Sequence, residues 1–215
     1  PPIFLSFIED GNTLAERFVD DRRVDLMSFT GSTAVGRQVG ERVAARMGKS
    51  LLELGGNNAL ILDASADLKM AIPGIVFGAV GTAGQRCTTT RRLFVHDSIF
   101  DEVKGVLADA YGQVRIGDPL DASTLMGPLT DAASVARYEA AVAAAVEAGG
   151  EVLFGGNAID GPGFFVEPAL IVAENDWDIV QDETFAPILY VIPFSDLDDA
   201  IAMQNNVKQG LSSAI

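Results

Sequence analysis

The chain of 215 residues carries 30 Asp and Glu against 15 Lys and Arg, a formal charge of −15, which speaks against nucleic acid as a partner because that affinity comes largely from basic side chains neutralising phosphates. Its longest uncharged stretch, Met70 to Gln85, spans 16 residues with Pro73 and four glycines; a membrane-spanning helix needs roughly 20, so no membrane partner is expected. One cysteine rules out an internal disulfide and fits a reducing, cytoplasmic compartment, while an apolar content of 48% is high for a free-standing domain and fits a piece cut from a larger assembly.

In chain order, nothing is drawn from residues 1 to about 22, and the opening Pro1-Pro2 reads as the start of a truncated chain. An apolar strand over Asp25 to Phe29 leads through Thr30-Gly31-Ser32 into a helical pattern from Thr33 to Met47. Ser50 to Leu54 and Asn58 to Leu62 read as short strands flanking Gly55-Gly56, where the backbone needs positive φ or close approach; a domain junction is expected there. Asp67 can open a helix through Val80, although Pro73 falls inside it and conflicts with an unkinked helix. Arg92 to Val95 is strand-like, Ser98 is the expected N-cap of a helix with Phe100, Val103 and Leu107 on one face, and Thr130 or Asp131 caps an Ala-rich helix ending at Gly149-Gly150. Glu151 to Phe154, a Gly/Pro-rich loop, Leu189 to Pro193, a helix Leu197 to Asn205 and a strand-like run Leu211 to Ile215 follow. The alternation predicts an α/β fold with a mainly parallel sheet covered by helices on both faces.

The segment from Gly81 to Arg92 places the one thiol, Cys87, between an arginine and three threonines. No acid occurs between Asp67 and Asp97, whereas Lys69, Arg86, Arg91 and Arg92 are basic; cations near a thiol favour the thiolate. Alone, such a cysteine is more often a small buried hydrophobe. Glu53 ends an apolar strand and runs into two glycines, where burial would raise its pKa and suit it to take a proton from water; standing alone it would read equally well as a solvent-facing strand-edge acid. His96, the only histidine, is expected to be a surface or capping residue. Gly31-Ser-Thr-Ala-Val-Gly36 mimics the start of a phosphate loop, but Arg37 and Gln38 stand where Lys and Ser or Thr are required, which excludes an NTPase.

Glu53-Leu-Gly-Gly56 followed 34 residues later by the cysteine of Gly84-Gln-Arg-Cys87 resembles the signature pair of the aldehyde dehydrogenases. Glu183-Thr-Phe185-Ala-Pro187 is similar to that family's cofactor motif, with Ala186 in a glycine position. Together with Asn57-Asn58 and Val207 to Ser213, these stretches are most similar to the antiquitin branch, which oxidises α-aminoadipic semialdehyde in lysine breakdown.

The resemblance implies a catalytic domain over 55–215, preceded at 1–54 by the last part of a Rossmann-like NAD-binding domain. It implies Cys87 as nucleophile and Glu53 as hydrolytic base, Arg86 and Thr88 at the substrate, and Gly31, Ser32, Val35, Leu54, Gly55, Glu183 and Phe185 at NAD or NADP, with no metal. Without the family, Glu183 reads as a solvated acid, Phe185 as a core aromatic and Arg86 as half of a structural ion pair. The implied partners are a small aldehyde and further copies of the chain, as a dimer or tetramer. The family's upstream oxyanion-hole asparagine and ribose-binding lysine have no counterpart here, so the 215 residues alone are expected to have little activity. Rival readings are a coenzyme A-acylating dehydrogenase, another semialdehyde dehydrogenase, a thioester hydrolase, or a non-catalytic folded module.

Overall fold

The computed structural model describes residues 4–215; the opening Pro1-Pro2 lies outside them. The chain divides into two compact units, Pro1–Gly55 and Gly56–Ile215.

In the first unit, helix α1 (Thr13–Asp20) precedes strand β1 (Leu26–Thr30), helix α2 (Thr33–Ala45) and strand β2 (Lys49–Glu53). The two strands pair in parallel from Leu26 opposite Lys49 to Thr30 opposite Glu53, and α2 is the crossover that such a pair requires. Val19, Met27, Val39 and Val43 form its core. Helix α1 falls within the first 22 residues, for which no element is expected. Helix α2 stops two residues short of Met47, which takes a left-handed φ of 63°.

The second unit is built on strands β3 (Asn58–Leu62) and β4 (Thr90–His96), joined by helix α3 (Leu68–Val80). Helices α4 (Phe100–Tyr111) and α5 (Ala132–Glu147) follow, then strands β5 (Glu151–Phe154) and β6 (Ala169–Val172), helix α6 (Asp178–Gln181), strand β7 (Ile188–Phe194), helix α7 (Leu197–Asn205) and strand β8 (Ser213–Ala214). The sheet order is β5-β6-β7-β4-β3-β8. Every pairing is parallel except β5 with β6. Leu93, Phe94, Val95, Leu189 and Val191 are fully buried, as expected of central parallel strands covered on both faces; each large apolar side chain so buried contributes about 1.5–3 kcal/mol. No helix among the described residues is long and apolar enough to cross a membrane.

Pro73 sits inside a continuous α3. It removes one backbone donor, while Ile72, Ile75, Val76, Ala79 and Val80 bury the helix on several sides, and that packing offsets the loss. Ser98 does not cap α4. A 3-10 turn over Asp97–Ile99 intervenes, and the His96 imidazole Nδ1 accepts from the Ser98 N–H at 3.2 Å, so the capping side chain lies two residues earlier than expected. Asp131 is the cap of α5, accepting from Ser134 N–H at 2.6 Å, and the helix is left through Gly149 at φ 109°. Strand β6 and helix α6 are too short to show a period in the sequence.

Arg92 is fully buried on β4. Its guanidinium donates to the carbonyls of Asn57, Met203 and Gln204 and to Asn175 Oδ1. Burial draws its pKa down to about 10. This arginine ties the start of β3 to the C-terminal end of α7.

Candidate active site

The Cys87 loop starts from an unusual backbone. Thr82, Ala83 and Gly84 take φ of 53°, 51° and 69°, a left-handed run that costs a non-glycine residue roughly 1–2 kcal/mol each. Gly84 has a second reason to be glycine, because a Cβ there would stand 2.2 Å from the Ala186 carbonyl oxygen. Gln85 then fastens the turn: its Nε2 donates to the carbonyls of Thr82 and Pro128, each at 3.3 Å, and its Oε1 accepts from Thr130 N–H at 3.0 Å.

Cys87 occupies the corner of a tight turn closed by Thr89 N–H donating to the Arg86 carbonyl at 3.1 Å and Arg86 N–H donating to Thr89 Oγ1 at 3.2 Å. The cysteine is half-buried and unpaired, so it is not the buried hydrophobe of the bland reading. Asn58, the first residue of β3, donates through Nδ2 to the carbonyls of Cys87 at 2.7 Å and Thr89 at 2.8 Å, and its Oδ1 accepts from Ser212 N–H at 3.1 Å. Gly56 packs beneath the turn, where a Cβ would come within 2.4 Å of the Cys87 carbonyl oxygen. Thr88 is exposed.

The basic residues counted around the thiol separate into different roles. Lys69 lies in the first turn of α3, about 16 Å along the helix axis from the end that feeds the loop, too far to act on the sulfur. Arg92 is committed to carbonyls elsewhere. Arg86 donates through Nε to Thr82 Oγ1 at 2.5 Å and lies 5.1 Å from the centre of the Phe77 ring. Among the described residues it has no carboxylate partner, which corrects the ion-pair expectation. Arg91 is buried and pairs with Glu183 at 3.1 Å; burial pulls its pKa below the ordinary arginine value, against the opposing pull of that carboxylate.

Glu183 is therefore not a solvated acid. Its side chain is 17% exposed, and Oε1 accepts from both Arg91 and the Gly56 N–H. Phe185 is 44% exposed with the Arg91 guanidinium 5.5 Å from its ring centre, so it is no core aromatic either. Ala186 is buried and stays out of the positive-φ region, which is why alanine fits in that motif's glycine position.

In the first unit, Gly31 N–H donates to the Glu53 carbonyl at 3.1 Å and Ser32 caps α2, its Oγ accepting from Val35 N–H at 3.3 Å. The first turn of α2 holds no acid. Gly36 lies tight against Leu54, whose Cδ2 would be 2.2 Å from a Cβ there. Val35 is exposed, and Leu54 and Gly55 are half-buried. Glu53 ends β2 with an exposed side chain, which overturns the expectation of a desolvated carboxylate: three of the four preceding strand residues are also exposed, and a two-stranded sheet supplies little cover.

The sequence motifs contain Asn58 and Gln85 but gave neither a role, and they missed the bridging position of Arg91. A signal for Asn58 existed, since an asparagine opens an otherwise apolar strand; the left-handed Thr82 and Ala83 carried none.

These features have close counterparts. A model of the aldehyde dehydrogenase family matches residues 1–215. A putative aldehyde dehydrogenase family 7 member A1 homolog of Caenorhabditis elegans is 51% identical, covering 100% of this chain and 41% of its own length. The alpha-aminoadipic semialdehyde dehydrogenase of Bos taurus is 50% identical over 100% of this chain and 40% of its own. Lactaldehyde dehydrogenase from Escherichia coli superposes with a TM-score of 0.91 at 36% identity, over 94% of this chain and 43% of that one. Betaine aldehyde dehydrogenase from Staphylococcus aureus, solved with NAD+, gives 0.90 at 30% identity, over 94% of this chain and 41% of that one. The chain thus spans about two fifths of the length of the relatives it matches, and it belongs to the aldehyde dehydrogenase family.

Proposed function

We propose that these residues serve the NAD(P)-dependent oxidation of an aldehyde to a carboxylic acid, within an enzyme of the length of its relatives. The observation that carries the reading is a half-buried, unpaired Cys87 held at a tight turn by Asn58, beside an Arg86 with no carboxylate partner among the described residues. On this reading the unit ending at Gly55 contributes to the nucleotide-binding domain and the unit from Gly56 to the catalytic domain.

The residues present fit a dinucleotide in two places. The N-terminus of α2, capped by Ser32, flanked by Gly31 and free of acid in its first turn, suits an anionic pyrophosphate, because unpaired backbone N–H groups and the helix dipole attract negative charge; Val35, Leu54 and Gly55 would border it. Both hydrogen bonds that Glu183 accepts from described residues fall on Oε1, leaving Oε2 to accept from a ribose hydroxyl, with Phe185 beside the ring system. When bound, this group supplies the hydride acceptor that lets a Cys87 thiohemiacetal become a thioester.

The chain's own residues do the rest. The Cys87 thiolate attacks the carbonyl carbon, and its own backbone N–H faces the resulting oxyanion. Thr88 borders the substrate. Glu53 takes a proton from water, the hydroxide adds to the thioester carbon, and the carbon–sulfur bond breaks to release the acid and the thiolate. Arg86 offers a planar donor pair suited to a distal carboxylate. A carboxylate-bearing semialdehyde follows, and the name of the Bos taurus relative makes α-aminoadipic semialdehyde the first to try. A cytoplasmic homo-oligomer completes the proposal.

The test is Glu53→Gln in the whole protein. Turnover should fall by about 100-fold or more and intact-mass analysis should find the acyl group accumulating on Cys87; unchanged turnover with an unmodified thiol would count against the reading. Added coenzyme A should leave the wild-type rate unchanged, and Arg86→Ala should raise KM for the semialdehyde while sparing a neutral aldehyde.

A further inference from the structure

Arg91 is bonded both to the loop that carries Cys87 and to the segment that carries Glu183. It is 2% exposed, and its three nitrogens reach five acceptors on three separate stretches of the second unit. Nε donates to the Gly56 carbonyl at 3.2 Å. One terminal nitrogen donates to the carbonyls of Gly84 at 3.3 Å and Thr184 at 2.8 Å. The other donates to the Arg86 carbonyl at 3.0 Å and to Glu183 Oε1 at 3.1 Å. All five N–H groups of a guanidinium are thereby used. Two of the carbonyls, Gly84 and Arg86, bracket the stretch that leads into Cys87, and Thr184 and Glu183 belong to the segment carrying Phe185.

We propose that Arg91 is the positioning residue that holds the nucleophile turn and the Glu183–Phe185 segment in register, chiefly through the four backbone carbonyls rather than through its ion pair. The inference rests on the reading of Cys87 as nucleophile. A planar, rigid fork is what the geometry requires: the acceptors are spread around the edge of the guanidinium, whereas an ammonium presents three donors from one point and cannot reach them all. Charge alone is therefore insufficient, and Arg91→Lys, which preserves it, should fail.

Two variants of the whole protein test this. In Arg91→Lys, alkylation of Cys87 by iodoacetamide should slow by about 10-fold and kcat should fall by about 100-fold, the penalty for reacting groups misplaced by an ångström, with far-UV circular dichroism unchanged. In Glu183→Gln the four carbonyl bonds remain, so alkylation should keep the wild-type rate while KM for the nicotinamide nucleotide rises. A folded Arg91→Lys protein that alkylates at the wild-type rate would overturn the inference. So would Glu183→Gln slowing alkylation as much as Arg91→Lys does, which would make the ion pair the operative contact. Should Arg91→Lys not fold, the Glu183→Gln arm still decides: an unchanged alkylation rate supports the inference and a slowed one overturns it. A wild-type Cys87 that resists iodoacetamide altogether would instead sink the functional reading.

Discussion

The two units each set a loop at a strand end, with very different means. In the N-terminal unit, two strands and two helices rest on four buried side chains, and the Gly31–Ser32 turn is fixed by a backbone bond to Glu53 and a serine cap. In the second unit a six-stranded sheet with fully buried central strands carries the Cys87 turn, which is fastened by Asn58, Gln85 and Arg91. The first loop leads into a serine-capped helix N-terminus on a small core; the second carries a thiol whose neighbouring carbonyls are nearly all spoken for. On the proposed reading, a small core is enough where the ligand itself would complete the polar groups, whereas a nucleophile must be held in advance of its substrate.

That contrast can be broken most forcefully at Arg92. Replacing it with Met takes the guanidinium donors away from the Asn57 and Gln204 carbonyls and from Asn175 Oδ1, while Met203 keeps its bond from Asn206 N–H, and should cost about 3–5 kcal/mol by denaturant titration; a loss below about 1 kcal/mol would mean water reaches those acceptors. Next comes a matched pair of cavities, Leu170→Ala in the second unit and Met27→Ala in the first. Both fall in the range of about 2–5 kcal/mol, with Leu170→Ala expected at the upper end because its site is fully closed. Equal losses would show that the small core is packed as tightly as the large one.

Ser32→Ala removes one cap of α2 and should cost about 1 kcal/mol of stability, together with weaker nucleotide binding measured by calorimetry. The smallest effect concerns acid. Hydrogen bonds from Ser134 hold the Asp131 carboxyl below its ordinary value of 3.8, so its contribution is fully present above that value and is lost as pH falls through the depressed one. Thermal midpoints recorded from pH 5 to pH 2 should therefore fall less steeply in Asp131→Asn than in the wild type.

Much of this architecture was legible in the residues. Asn58 to Leu62 and Leu197 to Asn205 were delimited to the residue, because an apolar run bounded by glycine and a periodic run behind an acidic cap are strong local signals. Strand β6 was not, since three buried residues and a half-buried one behind Pro168 have no period to display. In the site, the motif residues were visible but their surroundings were not. Glu53 looked desolvated because its sequence neighbours are apolar, yet burial depends on what covers a strand, and β2 is mostly exposed. The arginines near Cys87 looked alike as letters; only the fold separates Arg92, turned to the far end of α7, from Arg91, turned to the thiol loop. The glycine at position 84 could be read as a turn residue, whereas its close approach to Ala186 joins residues about a hundred positions apart.

Thr82 illustrates a compromise written into that loop. Glycine would relieve the left-handed conformation at this position, but glycine has no hydroxyl, and the hydroxyl is what receives the Arg86 Nε–H. Next door the demand is reversed: a methyl group at Gly81 would stand 2.0 Å from the Arg86 guanidinium. The orientation of one guanidinium is thus inscribed in two adjacent residues of opposite character, one retained despite its backbone preference and one stripped of any side chain, and exchanging them would satisfy neither.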